Sequence, residues 1–181
     1  MKLLSTLTPL SLLAGVMALS TPKRSGDWQD CLSQDDAELI VGQYITILEH
    51  TDVAAANATA QSLLDPNYTE TRDSILSLEG LPLGTATFVG KDVYINGVLR
   101  APGLNGITTI EILAAGCTKI LWYWNFLGVG GAQYEVKGFN LFTITPSMRI
   151  AQVDLEFNSI AWGLDTGYQL VRPSSPALTR K

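Results

Sequence analysis

The sequence predicts an α+β fold, with helices packed on one face of an antiparallel sheet. Two observations carry this. Apolar residues in the first half recur at helical spacing behind good caps, whereas those after Ile107 fall into short strand-like runs separated by turns. The helical and strand signals also form separate blocks instead of alternating, which argues against a parallel, doubly wound sheet. At 181 residues, 46% hydrophobic and 16% charged, the chain suits one domain able to fold around its own core.

Residues Met1 to Ser20 carry one early charge, Lys2, then a largely apolar stretch from Leu10 to Leu19, and end in Ala18-Leu19-Ser20. Small residues at both positions before the cut give the layout of a secretory signal peptide, with cleavage expected after Ser20. The apolar run is too short to span a bilayer, and no later stretch reaches the ~18 residues a spanning helix needs. Secretion, with no stable membrane insertion after signal removal, is therefore expected. Asn57-Ala58-Thr59 and Asn67-Tyr68-Thr69 are glycosylation acceptor triplets that agree with that route. The two cysteines, Cys31 and Cys117, make an even count in a compartment that permits disulfides, so pairing is favoured over two separately buried thiols.

Residues 21–30 are polar and read as a flexible lead-in to a domain spanning 31–168. Ser33-Gln34-Asp35-Asp36 resembles a capping box, in which a hydroxyl and an acid meet the free amides of a helix start. Behind it Ile40/Val41, Tyr44/Ile45 and Ile47/Leu48 mark one helical face, ending near His50-Thr51. Asp52 caps a second helix that runs to Leu63/Leu64, where Asp65-Pro66 stops it. The two make a helical hairpin. Asn67 to Gly84 is less regular, and Lys91 to Leu99 reads as a short third helix weakened by Gly97. Strands are predicted over Ile107 to Leu113, Lys119 to Leu127, Tyr134 to Thr145 and Arg149 to Asn158, with turns at Gly128 to Gly131 and Pro146-Ser147. The segment 169–181, with Pro173, Ser174, Ser175 and Pro176, reads as a disordered tail.

Composition excludes several functions. Twelve Lys+Arg against seventeen Asp+Glu, with no basic run beyond Lys23-Arg24 and Arg180-Lys181, leave no footprint for nucleic acid. A single histidine, His50, and no close cysteine pair leave no metal set, and no Ser-His-Asp nucleophile can be assembled. The glycines at 128–131 lack the Lys-Ser/Thr of a phosphate loop. No cofactor is expected.

The order of elements, with Cys31-Leu32-Ser33, Asp73-Ser74-Ile75, Leu81-Pro82-Leu83-Gly84, Cys117 and Glu156-Phe157-Asn158-Ser159-Ile160-Ala161-Trp162, resembles the nuclear transport factor two-like (ketosteroid-isomerase-like, polyketide-cyclase-like) superfamily. Closer in, it is similar to a group of small secreted fungal proteins of that superfamily. The resemblance implies a cone-shaped α+β barrel, a curved sheet wrapped around helices to enclose an apolar pocket for a hydrophobic small molecule. It also suggests a homodimer. Members include isomerases, dehydratases, polyketide cyclases and proteins without catalysis, so fold alone does not decide between them. The dehydratases that work with a histidine pair are disfavoured here, because only His50 is present.

A pocket enzyme of this kind needs an acid or base in apolar surroundings, where burial raises a carboxyl pKa toward working pH. Asp73, after the second helix, lies where the resemblance puts a general base; Glu70 competes for the role, and both could instead sit on a solvated loop beside Arg72. In the last strand Ala151, Val153, Leu155 and Phe157 share one face and Gln152, Asp154, Glu156 and Asn158 the other. Amphipathicity favours the apolar face inward, yet Glu156 and Asn158 belong to the terminal motif and stay candidates, Glu156 as a catalytic carboxylate. Trp122 and Trp124 form an aromatic stripe that serves either as core or as a pocket wall, with Tyr44 and Tyr68 as donors from the helical side. Two functions follow: a cofactor-free isomerase or cyclase acting on a hydrophobic polyketide or terpenoid in a fungal secondary-metabolite pathway, or a non-catalytic secreted ligand-binding or interaction protein of the same fold.

Overall fold

The computed structural model describes residues 31–129 and 133–169. The segments expected as signal peptide and lead-in, the tip of the turn after Gly128 and nearly all of the expected tail lie outside the described residues. Helix α1 (Gln34–Glu49) opens on the capping box read from the sequence. The Asp36 amide donates to the Ser33 hydroxyl, and the Ser33 amide donates to the Asp36 carboxylate, each at 3.1 Å. Helix α2 (Val53–Leu63) follows, its first amides at Ala54 and Ala55 donating to the Asp52 side chain at 2.9 and 3.1 Å.

Strand β1 (Leu64–Thr71) begins where α2 stops. Short helix α3 (Asp73–Glu79), strand β2 (Ala86–Val89) and helix α4 (Lys91–Val98) come next. The chain then runs through β3 (Asn105–Ala115), β4 (Lys119–Gly128), β5 (Val136–Ile144) and β6 (Ile150–Phe157) as an antiparallel meander, and ends in α5 (Ser159–Asp165).

The α+β class and the four-strand meander are as expected, but the sheet is larger and mixed. Its order is β2-β1-β6-β5-β4-β3, with β1 parallel to β6 and every other pair antiparallel. The curved sheet is open, an unclosed cone bounded by β2 and β3. Strand β1 escaped the sequence reading because its inward positions include Glu70, which breaks the apolar alternation that marks a strand. Pro66 lies in the stretch between Leu64 and Thr69 where the β1–β6 register shifts, as suits a residue with no amide to donate.

Helix α1 packs Ala37, Ile40, Val41, Tyr44 and Ile47 into the concave face, which supplies Ile120, Trp122, Phe142, Ile150 and Val153. The Tyr44 ring stands edge-on to Phe142 at 5.0 Å and to Trp122 at 6.2 Å. A disulfide joins Cys31 to Cys117, tying the start of α1 to the β3–β4 turn. No described helix is long and apolar enough to cross a membrane.

Candidate functional site

The concave face and the helices leave two adjoining cavities. The inner chamber is small, about 70 Å³, and its wall includes Tyr44, Glu70, Tyr94, Trp124, Asn140 and Leu155. The outer one is about 630 Å³ and is bounded by the end of α1, by α4 and the rim loop after it, and by residues around the β4–β5 turn. Leu48, Arg72, Val98, Leu104 and Trp162 border both, so they form the neck between them.

At the inner wall stands a carboxyl on the last turns of β1. Because Tyr68 and Glu70 are two residues apart on a strand, both point inward; Glu70 is 1% exposed and Tyr68 fully buried. The Tyr68 hydroxyl donates to Glu70 Oε2 at 2.5 Å, and the Tyr44 hydroxyl donates to the same oxygen at 3.2 Å. Tyr94, from α4, donates in turn to the Tyr44 hydroxyl at 2.8 Å. Three tyrosines from three elements thus converge on one carboxyl.

The other oxygen, Oε1, faces Arg72 Nε at 3.1 Å. This is a charge contact and not an aligned hydrogen bond, because Arg72 Nε is buried with no hydrogen-bond partner. The guanidinium lies over the Phe88 ring, 4.7 Å from its centroid.

Burial raises the Glu70 pKa above the ordinary carboxyl range, and the Arg72 charge and the tyrosine hydroxyls only partly oppose it. Burial and the nearby Glu70 charge push the Tyr44 and Tyr68 hydroxyls well above their usual value, and Tyr94 moves the same way for the same two reasons. The tyrosines therefore remain protonated donors. Glu70 is the group here whose proton can come and go.

Asn140 on β5 adds a donor. Its Oδ1 accepts from Trp124 Nε1 at 2.6 Å, which fixes the amide's orientation, and no hydrogen bond among the described residues uses its Nδ2. Gly138, two residues before it, lets β5 approach: a Cβ there would lie 2.6 Å from Trp124 Cζ2, Glu156 O and Phe157 Cβ. The rim of the outer cavity is pinned by a similar approach. The Leu104 amide donates to Leu48 O at 3.0 Å, and a Cβ on Gly103 would fall 2.3 Å from Glu49 O.

The residues singled out from the sequence divide. Tyr44 and Tyr68 meet on Glu70, and Tyr44 and Trp124 line the inner chamber with it. Trp122 is fully buried core, its indole donating to Thr109 at 3.0 Å. Asp73 lies at the start of α3, where its carboxylate accepts the Gly84 amide at 2.7 Å, and it borders neither cavity. Glu156 is exposed on the outer face of β6 and accepts the Ser74 hydroxyl. Asp73 is half-buried and Glu156 exposed, whereas Glu70 is fully buried. Asn158 is exposed and caps α5, accepting the Ala161 amide at 3.1 Å. The apolar face of β6 is the inward one, with Leu155 and Phe157 on the inner chamber. Asn57 and Asn67 are both exposed. Asn140, Tyr94 and Arg72 were not read as site residues, because each becomes one only through strand pairing or helix docking.

An open α+β cone with a buried carboxyl facing an apolar cavity defines a small-molecule-pocket protein. The chain belongs to the NTF2-like domain family, whose sequence model matches residues 30–169. No curated protein sequence matches it. Among solved structures it is similar to a steroid delta-isomerase from Pseudomonas aeruginosa, at 15% identity and a TM-score of 0.52, covering 76% of this chain and 93% of the other. A SnoaL-like protein of unknown function from Burkholderia thailandensis is similar at 19% identity and 0.53, covering 71% and 99%. A de novo designed NTF2 fold protein gives 12% and 0.51, over 71% and 89%. At these identities the likeness is one of fold.

Proposed function

We propose that the chain is a cofactor-free isomerase or cyclase that moves a proton on a hydrophobic ketone, with Glu70 as the acid–base group. The observation that carries this reading is a fully buried carboxyl of raised pKa, held by two tyrosines with a third behind them, at the wall of an apolar chamber. The volumes assign the parts. The inner chamber admits only the reacting end of a substrate, and the outer cavity has the size of a pocket for the body of a drug-sized molecule.

In the reaction, Glu70 Oε1 takes a proton from the carbon next to a substrate carbonyl. Oε2 is already occupied by Tyr44 and Tyr68, so Oε1 is the oxygen with free acceptor capacity. The C–H pair moves into the C–C bond and the carbonyl electrons move to oxygen. The Asn140 amide is an uncommitted donor in the chamber for that developing charge. Return of the proton from Glu70 to a different carbon gives an isomer; attack of the enolate carbon on a second carbonyl forms the ring bond as that C=O π pair moves to its oxygen, which then takes the proton back from Glu70. Steroid delta-isomerase, which shares the fold, is named for a reaction of the first kind.

The direct test is exchange of α-protons for deuterium in a hydrophobic cyclic β,γ-unsaturated ketone, followed by NMR alongside conversion to the conjugated isomer. The expected result is catalysis that E70Q lowers by about 10²–10⁴-fold, with D73N and E156Q retaining it. Full activity in E70Q, or loss in D73N, would overturn the assignment. A second reading, a ligand-binding protein without chemistry, draws on the smallness of the inner chamber; binding of the ketone without exchange would select it. The polyketide or terpenoid class, the secondary-metabolite setting and the fungal source rest on the sequence resemblance. Export is supported by the signal-like first twenty residues, the exposed Asn57 and Asn67, and the cystine. Self-association to a homodimer completes the proposal.

A further inference from the structure

We infer that the ligand of this pocket is an organic acid, an apolar body bearing a carboxylate that docks on Arg72. This rests on the two cavities being the ligand site, as proposed above, but not on any catalysis there. Arg72 sits at the neck, bordering both cavities, and its side chain is 23% exposed. A guanidinium carries five N–H donors, and the one on Arg72 Nε is buried with no hydrogen-bond partner among the described residues. Its face is held on Phe88, which fixes the plane in which its edge can be read.

The surroundings favour an anion. No aspartate or glutamate lines the outer cavity, and Arg72 is the one Lys or Arg among its described lining residues. His50 also lines it, but both ring nitrogens are already engaged: Nδ1 with Ile47 O at 3.1 Å and Nε2 with Ala101 O at 2.9 Å. Arg72 thus brings the one guanidinium to an apolar space, while its charge partner Glu70 stands in the inner chamber. A structural salt bridge would align its donors with the carboxylate. Here Nε approaches Oε1 without that alignment, and the rest of the guanidinium is left for another acceptor.

The probe pair is pyrene-1-butyric acid and its methyl ester, which share an apolar body and differ in the charged head. Binding is read by pyrene fluorescence on the full-length protein at low and high salt. The acid is expected to bind at least tenfold tighter than the ester, as one hydrogen-bonded charge contact provides. R72M should erase that preference while the ester still binds, which also reports that the variant is folded. Arg72 makes no side-chain cap hydrogen bond to α3, so the substitution removes none. E70Q should keep the preference or enlarge it, because the competing carboxyl is gone. Equal binding of acid and ester, or a preference that survives R72M, overturns this inference and leaves the pocket and its proton chemistry standing. Failure of both probes to bind overturns the ligand pocket and this inference together. Loss of turnover in E70Q with the acid preference intact supports both readings.

Discussion

Glu70 and Asp165 are both buried carboxyls, yet their partners give them opposite duties. Asp165 accepts the backbone amides of Gln133 and Tyr134 at 2.8 and 3.0 Å, and that of Val129 at 3.4 Å, which fastens the β4–β5 connection to α5. Backbone donors cannot move or change partner, so the carboxylate there is a fixed anchor. Glu70 has hydroxyl donors and a misaligned guanidinium, and its burial favours the protonated form. This has a thermodynamic consequence. Since the folded state holds the proton more tightly than the unfolded chain, Glu70's contribution is most favourable at low pH. It falls as pH rises from about 4.5, the ordinary value, through the raised folded value. E70Q lacks this slope. The stability of E70Q relative to the parent is therefore expected to improve as pH rises above about 4.5 and to level off once the raised folded value is passed, with a limiting slope of ~1.4 kcal/mol per pH unit. Urea unfolding of both proteins from about pH 4 upward measures it; a flat difference would mean that folding leaves the carboxyl's proton affinity unchanged.

Elements with local signals were legible in the sequence, and elements that depend on distant partners were not. Ser33 and Asp52 announce the starts of α1 and α2 because a cap is satisfied within three residues. The meander from β3 to β6 follows from alternation and turns. Strand β1 carries Glu70 where an apolar residue would be read, and its parallel partner β6 lies at the other end of the chain, so neither its identity nor its pairing had a local mark. Helix α5 is short, and from the sequence its cap Asn158 reads as a ligand contact instead. The candidate site was half legible for the same reason: Tyr44, Tyr68 and Trp124 came from strand and helix faces, whereas Arg72 and Asn140 needed the sheet order. Gly138 shows the force of that order. Set in the middle of β5, it faces Trp124 on β4 and the Glu156 carbonyl on β6. G138A is expected to cost about 1–3 kcal/mol, because a methyl at 2.6 Å from backbone and indole can be fitted only by moving a strand. It should also weaken pyrenebutyrate binding, since the displaced Trp124 lines the inner chamber. Unfolding and fluorescence titration of the same sample test both; wild-type values in each would show that the strand gives way without cost.

At the scale of the whole molecule, the open sheet leaves the cone to be closed by helices, and two ties among the described residues hold the start of α1 against β3 and the turn after it. Gln34 supplies one, donating from Nε2 to Ile112 O at 2.9 Å and accepting the Ala114 amide at 3.2 Å. The Cys31–Cys117 disulfide supplies the other, and its two ends are 86 residues apart in sequence. A loop of that length gives a large entropic effect in the unfolded chain, ~4–5 kcal/mol in the chain-entropy model. Both cysteines are distant from the chemistry, since neither borders the inner chamber or the outer cavity. Stability and site should therefore separate. The paired substitution C31S/C117S is expected to lower the unfolding free energy by up to about that amount, while pyrenebutyrate affinity, measured well below the unfolding transition, changes by less than about twofold, within the tolerance for surface substitutions. Equal stability of the two forms would mean that the cross-link does not constrain the chain. A large loss of affinity with the fold intact would place the start of α1 in control of the cavity mouth, joining two parts of the molecule that the geometry keeps apart.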